Sequence, residues 1–320
     1  MDRKELVDML NQDLADEHAS VVRYLIHAYQ AGEDSPLGSM LLSMAREEMW
    51  HMDWLADELG EMGVEPEMKQ GVYPHDPTSN ASLLRSYIAW EDNLIEAYAK
   101  QAAMVESEGL KRILMQQSDE SAIHSRRFSA MLEKLGPEGE EPLEYAPSGA
   151  FSPELANRMQ SEMTDEYRLV LQHLRHAFVF EDESCPVSSE LELTAMRHMK
   201  HLSHFAEELA DSGHDLDFRH PTIDTSRSVK DALASDLELT HEARERFVEL
   251  SQHPELNEHR GLKTEVEHMI SQETFLAAGV EGLIQESASP EGAETEPAPE
   301  ATEQEPQDDT TGFTVGSLIK

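Results

Sequence analysis

The chain has 320 residues, of which 39% are apolar, and a formal net charge of -40 at pH 7. This length and composition predict a globular protein of about two domains. Residues 1–285 alone contain 56 acidic and 24 basic residues, so nucleic acids and anionic membranes are poor partners, whereas cations are attracted. Solubility in a salty cytoplasm explains the same charge equally well.

One cysteine, Cys185, excludes an intramolecular disulfide and a four-cysteine metal centre. Residues 1–14 are charged and amphipathic, and no apolar run is long enough to span a membrane. These features predict a cytoplasmic location.

Apolar residues at spacings of three and four predict four long helices in the first part of the chain. Gly32 ends the first helix, and Ser35 and Pro36 supply the N-cap and first turn of the second, which runs to Gly63. A polar crossover of about 64–80 follows. The third and fourth helices are predicted at about 81–108 and 110–135, separated by Gly109. Four helices with one long connection predict a four-helix bundle.

An internal repeat at an offset of 149 to 152 residues predicts a second bundle, because Asp16 and Glu17 match Asp165 and Glu166 at this offset, for example. Its helices are predicted at about 153–183, 189–212, 227–251 and 257–285. The predicted fold class is all-α, with two tandem bundles. The predicted division of the chain is 1–136 first bundle, 137–151 linker, 152–286 second bundle, 287–312 disordered acidic segment and 313–320 terminal peptide.

Polar residues interrupt the apolar face of each helix in the first bundle near its middle. They are Glu17, Glu48, His51, Glu91 and His124. Dinuclear metal sites in four-helix bundles use a Glu from each of two helices and a Glu-x-x-His pair from each of the other two. Helices one to three fit this pattern, whereas Ser121 stands where the last glutamate is expected. Glu120, four residues before His124, shares its face and is predicted as the sixth ligand.

A site rich in carboxylates, with two imidazoles, favours iron or manganese over zinc or copper. The same positions in the second bundle are Glu166, His198, His201, Thr240 and Glu273, with Leu276 in place of the last histidine. Because a glutamate and a histidine are lost there, we expect the second bundle to be structural or to bind metal through Glu166, His198, His201 and Glu273 alone.

Residues 10–17 and 48–51 resemble the first and second helices of bacterioferritin and the wider ferritin-like superfamily. The resemblance implies a di-iron centre that oxidises Fe(II) with O2 or H2O2, in a chain that can form homo-oligomers. It also places Met49 at the position of the haem-ligating methionine of bacterioferritin, with Met199 as its counterpart in the repeat. Haem is the less favoured interpretation, because methionines on helices are usually packing residues.

The terminal residues Phe313, Thr314, Val315, Gly316, Ser317 and Leu318 are similar to the targeting peptide of encapsulin cargo proteins. This resemblance implies an encapsulin shell as partner and a location inside its compartment. The sequence therefore predicts an encapsulated ferroxidase that serves iron storage. Two alternatives remain: a peroxide-removing enzyme that resembles rubrerythrin, and a metal- or haem-binding scaffold without catalytic activity.

Overall fold

The computed structural model describes residues 1–143, 148–181 and 185–288, and within this part the chain is helical without a β-strand. The α-helices are α1 (Arg3–Gln30), α2 (Pro36–Glu61), α3 (Asn80–Ala102), α4 (Glu108–Leu135), α5 (Pro153–Phe180), α6 (Cys185–Asp211), α7 (Val229–Ser251) and α8 (Arg260–Ala288). Short 3₁₀ helices occupy Gly136–Glu140 and Pro254–Asn257. The predicted all-α fold class is confirmed.

The predicted helix ends in the first hairpin are confirmed by their caps. The Ser35 side chain accepts a hydrogen bond of 2.9 Å from the backbone nitrogen of Gly38, and Pro36 is the first residue of α2. Gly32 follows α1 with φ 78°, and Gly63 follows α2 with φ 65°, a backbone conformation that glycine adopts without a steric penalty.

The boundary between α3 and α4 differs from the prediction. α3 ends at Ala102 rather than near residue 108, and Gly109 lies inside the first turn of α4. The Ser107 side chain accepts a hydrogen bond from the backbone nitrogen of Leu110, so Ser107 caps α4. A cap residue lies outside helical geometry, and the chain therefore has to leave the helix before it reaches this serine.

Each bundle consists of two helical hairpins joined by a long crossover. In the first bundle the crossover connects α2 to α3 and runs along the side of α1. The Gly71 backbone nitrogen donates to the carbonyl of Ala15 at 2.7 Å, and His18 Nδ1 lies 3.0 Å from the carbonyl of Lys69. In the second bundle the equivalent crossover connects α6 to α7 and runs along the side of α5, where Gln160 donates to the carbonyl of Asp217.

The two bundles share a packed interface in which α1 lies against α6 and α2 lies against α5. One continuous cluster of buried apolar side chains extends from Leu10 in α1 to Met269 in α8. Tyr29 and Ser203 hydrogen-bond across this interface at 2.7 Å. The repeats therefore pack together through their first two helices.

Among the described helices, none is long and apolar enough to cross a membrane. The terminal peptide at 313–320, and the acidic segment from residue 289 onward, lie outside the described residues.

Candidate metal centre

Five of the six metal ligands predicted for the first bundle meet in its interior. Glu17, Glu48, His51, Glu91 and His124 project inward from α1 to α4, and each is at most 1% exposed. Each lies near the middle of its helix, on the face that otherwise contributes leucine and tyrosine to the core. Buried carboxylates and imidazoles are costly unless they bind each other or a cation.

The five side chains form two groups of three that share Glu48. In one group, His51 Nδ1 lies 2.8 Å from Glu48 Oε2 and 3.4 Å from Glu17 Oε1. In the other, His124 Nδ1 lies 3.0 Å from Glu48 Oε1 and 3.7 Å from Glu91 Oε1. Each group could hold a metal ion, and the two oxygens of Glu48 then face different ions.

Several atoms of the cluster make no hydrogen bond of good geometry among the described residues, although the two Nδ1 atoms lie close to Glu48. They are Glu17 Oε2, both oxygens of Glu48, Glu91 Oε2, His51 Nδ1 and His124 Nδ1. Buried polar atoms without a hydrogen bond are rare in native proteins, and a missing ion is a usual explanation. Their concentration around Glu48 fits the binding of two cations at this place.

Glu120 lies outside this cluster of ligand atoms. Its carboxylate is 29% exposed and lies 2.7 Å from His51 Nε2, the nitrogen that faces away from Glu48. Glu47 has the same relation to the other imidazole, at 2.9 Å from His124 Nε2. A carboxylate at the outer nitrogen fixes the orientation of an imidazole and makes it a stronger ligand.

The sequence reasoning missed Glu47 and also two buried tyrosines. Tyr24 donates a hydrogen bond of 2.5 Å to Glu91, and Tyr98 donates one to Glu17. Each tyrosine lies seven residues, or two helical turns, after a ligand on its own helix. Since a buried phenol needs a polar partner, this spacing was a signal that could have placed both tyrosines beside the site.

α4 contributes no carboxylate to the centre of the cluster. Ser121, three residues before His124, is 1% exposed, and its hydroxyl has no hydrogen-bond partner among the described residues. Gln117, one turn earlier, donates to the backbone carbonyl of His51. The cluster therefore has a single shared carboxylate, Glu48, with the small Ser121 side chain on the helix opposite.

The buried charges shift the pKa values of the ligands strongly. Burial raises the pKa of Glu17 to about 8, and the charge of Glu48 acts in the same direction. Burial opposes the charged form of His51 and of His124, but the surrounding carboxylates raise the pKa of both histidines well above the ordinary value. Metal ions therefore have to displace protons, and their binding should strengthen as the pH rises.

The second bundle contains its own buried group, which consists of the four residues predicted there. Glu166, His198, His201 and Glu273 are at most 1% exposed, and one ligand atom of each lies within 4.8 Å of the others. Burial opposes the charged form of His201, but the neighbouring carboxylates of Glu166 and Glu273 raise its pKa to about 10.

Met49 and Met199 both line a cavity of about 520 Å³ between the bundles. Other lining residues include Met52, Arg46 and Lys200, so the cavity is largely apolar with basic side chains. Met49 and Met199, the two methionines that the resemblance to bacterioferritin suggests as haem ligands, thus line the same cavity. Haem binding there stays a prediction.

Fold and site together define a helical-bundle protein with buried carboxylate and histidine clusters that could hold metal ions. Residues 7–137 match the family model of the ferritin-like domain. This match contains all six predicted ligands of the first bundle and supports a relationship to the ferritin-like superfamily. No curated protein and no solved structure matches the chain.

Proposed function

We propose that the first bundle is a di-iron centre that oxidises Fe(II) with O2 or H2O2. The observation that supports this function best is the position of Glu48, whose two oxygens face two groups of ligands. Two Fe(II) ions held by these residues would supply two electrons together as both become Fe(III), the number that reduces O2 to H2O2 or H2O2 to water. Each group offers three protein ligands, which leaves coordination positions open for the oxidant.

The surrounding residues orient the ligands and attract Fe(II). Glu120 and Glu47 hold the outer nitrogens of His51 and His124, so the inner nitrogens face the iron positions. Tyr98 holds Glu17 by a hydrogen bond from its phenol. The net charge of -40 raises the concentration of Fe(II) near the surface.

The test is an anaerobic Fe(II) titration of the full chain, followed by O2 or H2O2. Glu48→Ala combined with His51→Ala should remove two bound iron ions per chain and most of the aerobic oxidation. Glu61→Ala, an exposed change on the same helix, is the control and should retain both. Unchanged oxidation in the double variant would refute the proposal, and the relative rates with O2 and H2O2 show which oxidant the site prefers.

We further propose that the chain is cargo of an encapsulin shell, in which the oxidised iron is stored. The support is the similarity of Thr314 to Leu318 to encapsulin targeting peptides, after a Pro- and Glu-rich segment. Deletion of Thr311 to Lys320 should abolish co-purification with a co-expressed shell protein. Deletion of ten residues from the acidic segment, Thr295 to Gln304, is the matched control. Encapsulation that survives the terminal deletion would refute this partner.

A further inference from the structure

The buried group of the second bundle is not a weaker copy of the first centre. Its ligand atoms converge on one point rather than two: His198 Nδ1 lies 2.9 Å from Glu166 Oε2 and 3.6 Å from Glu273 Oε1. His201 Nδ1 lies 3.3 Å and 3.2 Å from the same two oxygens. Two nitrogens and two oxygens therefore surround a single position.

Two of these four distances, 3.3 Å and 3.6 Å, match the edges of a tetrahedron around one metal ion, and a third, 3.2 Å, lies close to them. Zinc binds imidazole nitrogen and carboxylate oxygen at about 2.0–2.2 Å, so neighbouring ligand atoms of a tetrahedral site are about 3.3–3.6 Å apart. Octahedral coordination at similar bond lengths brings neighbouring ligands to about 2.8–3.1 Å. Three of the four observed distances exceed 3.1 Å, which favours the tetrahedron.

The ligand atoms are also left without other partners. Both oxygens of Glu273 and the Nδ1 atom of His201 have no hydrogen-bond partner among the described residues, although Glu273 is fully buried. The outer nitrogen of His201, Nε2, lies 2.5 Å from Gln272 Oε1. Because an amide oxygen only accepts, Nε2 keeps its proton, and the proton that a metal ion displaces is the one on Nδ1, whose lone pair then serves as the ligand.

A second metal position is missing from this bundle for three reasons. His198 stands where Glu48 stands in the first bundle, and an imidazole nitrogen binds one ion, whereas a carboxylate can bridge two. Thr240 replaces the Glu91 carboxylate, and its hydroxyl donates to the backbone carbonyl of Asp236. Leu276 replaces the second histidine.

Arg246 occupies the remaining side of this group. Its guanidinium lies 3.2 Å from Glu162 and 4.0 Å from Glu166 Oε1, the oxygen that faces away from the histidines. A cation at this place repels a second metal ion. It also leaves Glu166 with one oxygen, Oε2, for the first.

We propose that the second bundle binds one divalent ion of the zinc class in a closed, four-ligand site made of Glu166, His198, His201 and Glu273. Four protein ligands fill a tetrahedral site, so no position remains for a substrate or an oxidant. The first centre, with three ligands in each group, is open and reactive, whereas the second stabilises its bundle. The inference stands on the second bundle alone and does not require the first to oxidise iron.

The test uses the full chain with the first centre disabled by Glu17→Gln, Glu48→Gln and Glu91→Gln, so that only the second site is counted. After removal of metal and addition of Zn(II), elemental analysis should find one zinc ion per chain. Adding Glu273→Gln should remove that ion. Adding His204→Ala instead, a change of a side chain that is 43% exposed on α6, the helix of His198 and His201, should leave it. No bound zinc, or two ions, in the triple variant would overturn the proposal.

A second measurement needs no change in the second bundle. Co(II) bound to the triple variant should show the intense visible bands of four-coordinate cobalt, with nitrogen and oxygen ligands by X-ray absorption. The weak bands of six-coordinate cobalt would overturn the closed geometry. Zn(II) should also raise the melting temperature of the triple variant, and this increase should vanish with Glu273→Gln. A melting temperature that zinc leaves unchanged would contradict the stabilising role.

Discussion

The two outer carboxylates of the first centre, Glu120 and Glu47, contact the histidine nitrogens that face away from Glu48. In the structure Glu120 is a neighbour of His51 rather than a member of the central cluster. The Glu120→Gln variant keeps an oxygen that accepts from His51 Nε2 but removes the charge. We expect metal affinity to fall by about tenfold to a hundredfold, the usual effect of such a partner.

This effect can be measured by competition between the protein and a chelator, without oxygen. Asp119→Asn removes an exposed charge from the adjacent position and should leave the affinity unchanged. The number of bound ions should stay the same in both variants. If Glu120→Gln instead loses one of two ions, Glu120 is a direct ligand, as its position before His124 predicts.

A different histidine, His27, should make the stability of the first bundle depend on pH. Burial lowers the pKa of His27 to about 4, although its hydrogen bond with Asn80 acts in the opposite direction. In the unfolded chain this pKa is about 6.5. Between the two values the unfolded chain binds the proton and the folded chain does not, so stability is lost as the pH falls from about 6.5 towards 4.

The expected loss between pH 7 and pH 4.5 from this one residue is on the order of 2–3 kcal/mol in the free energy of unfolding. His27→Gln cannot titrate, and its amide can replace the hydrogen bonds of His27 with Asn80 and with the Tyr87 hydroxyl. The loss of stability over this range should therefore be smaller than that of the natural chain. Urea unfolding at the two pH values measures the difference. His241→Gln, a change of a half-exposed side chain, is the control, and an equal loss in the His27 variant would contradict the assignment.

At the scale of single residues, helical spacing could predict which side chains face the interior. Glu17, Glu48, His51, Glu91 and His124 are all buried together as predicted. Helical spacing predicts which face a side chain lies on, but not whether it ends at the centre of the bundle or at its edge. Glu120 therefore shares a face with His124 but contacts the outer nitrogen of His51. The hydrogen bond from Tyr98 to Glu17 joins two helices, and helix pairing has to be known before it can be predicted.

At the scale of the helices, the turn between α1 and α2 leaves no room for a side chain at Gly38. A Cβ atom on Gly38 would lie 2.1 Å from the carbonyl oxygen of Gly32 and 2.9 Å from that of Ala28. Both are backbone atoms that cannot rotate away. Gly38→Ala should therefore push α2 from the turn and lower the free energy of unfolding by about 1–3 kcal/mol.

Replacement of Gly282 in α8 by alanine should change the free energy of unfolding in the opposite direction. A Cβ atom there meets no atom within 4 Å, and alanine favours the helix over glycine by about 0.5–1 kcal/mol. Gly282→Ala should stabilise the protein, while Gly38→Ala destabilises it, in the same denaturation experiment. Equal effects of the two changes would show that the contact with Gly32 is not restrictive.

Helix number could be predicted from periodicity, and helix ends only where a cap was recognised. Ser35 with Pro36 and Gly32 were recognised, and their helices end where expected. Gly109 alone predicts the end of α3 near residue 108, but Ser107 caps α4 and α3 ends about six residues earlier, at Ala102. A serine hydroxyl that caps a helix outweighs a glycine inside the first turn.

At the scale of the molecule, the repeat predicted two bundles, but the sequence does not show which faces meet. The interface contains a buried ion pair, since Arg175 is 3% exposed and lies 2.7 Å from Glu65. It also contains carboxylates that crowd one another. Burial, together with the charges of Asp53 and Glu181, raises the pKa of Asp57 to about 9. The interface therefore keeps Asp57 protonated at neutral pH, while repulsion between the ionised carboxylates acts over the surface.

This repulsion should make the protein more stable in salt. Raising NaCl from 0.1 M to 1 M shortens the screening length from about 10 Å to about 3 Å, which weakens the self-repulsion of a chain of net charge -40. We expect NaCl and KCl to raise the melting temperature by similar amounts. An uncharged solute at the same osmotic pressure does not screen charges, so it should raise the melting temperature less than either salt. Asp57→Asn removes the cost of keeping this carboxyl protonated in the folded protein, so it should raise the melting temperature at low salt and neutral pH. Above pH 9, where Asp57 is ionised, the same change should also reduce the further gain from NaCl. A melting temperature that falls with salt would show that ion pairs such as Arg175 with Glu65 outweigh the repulsion.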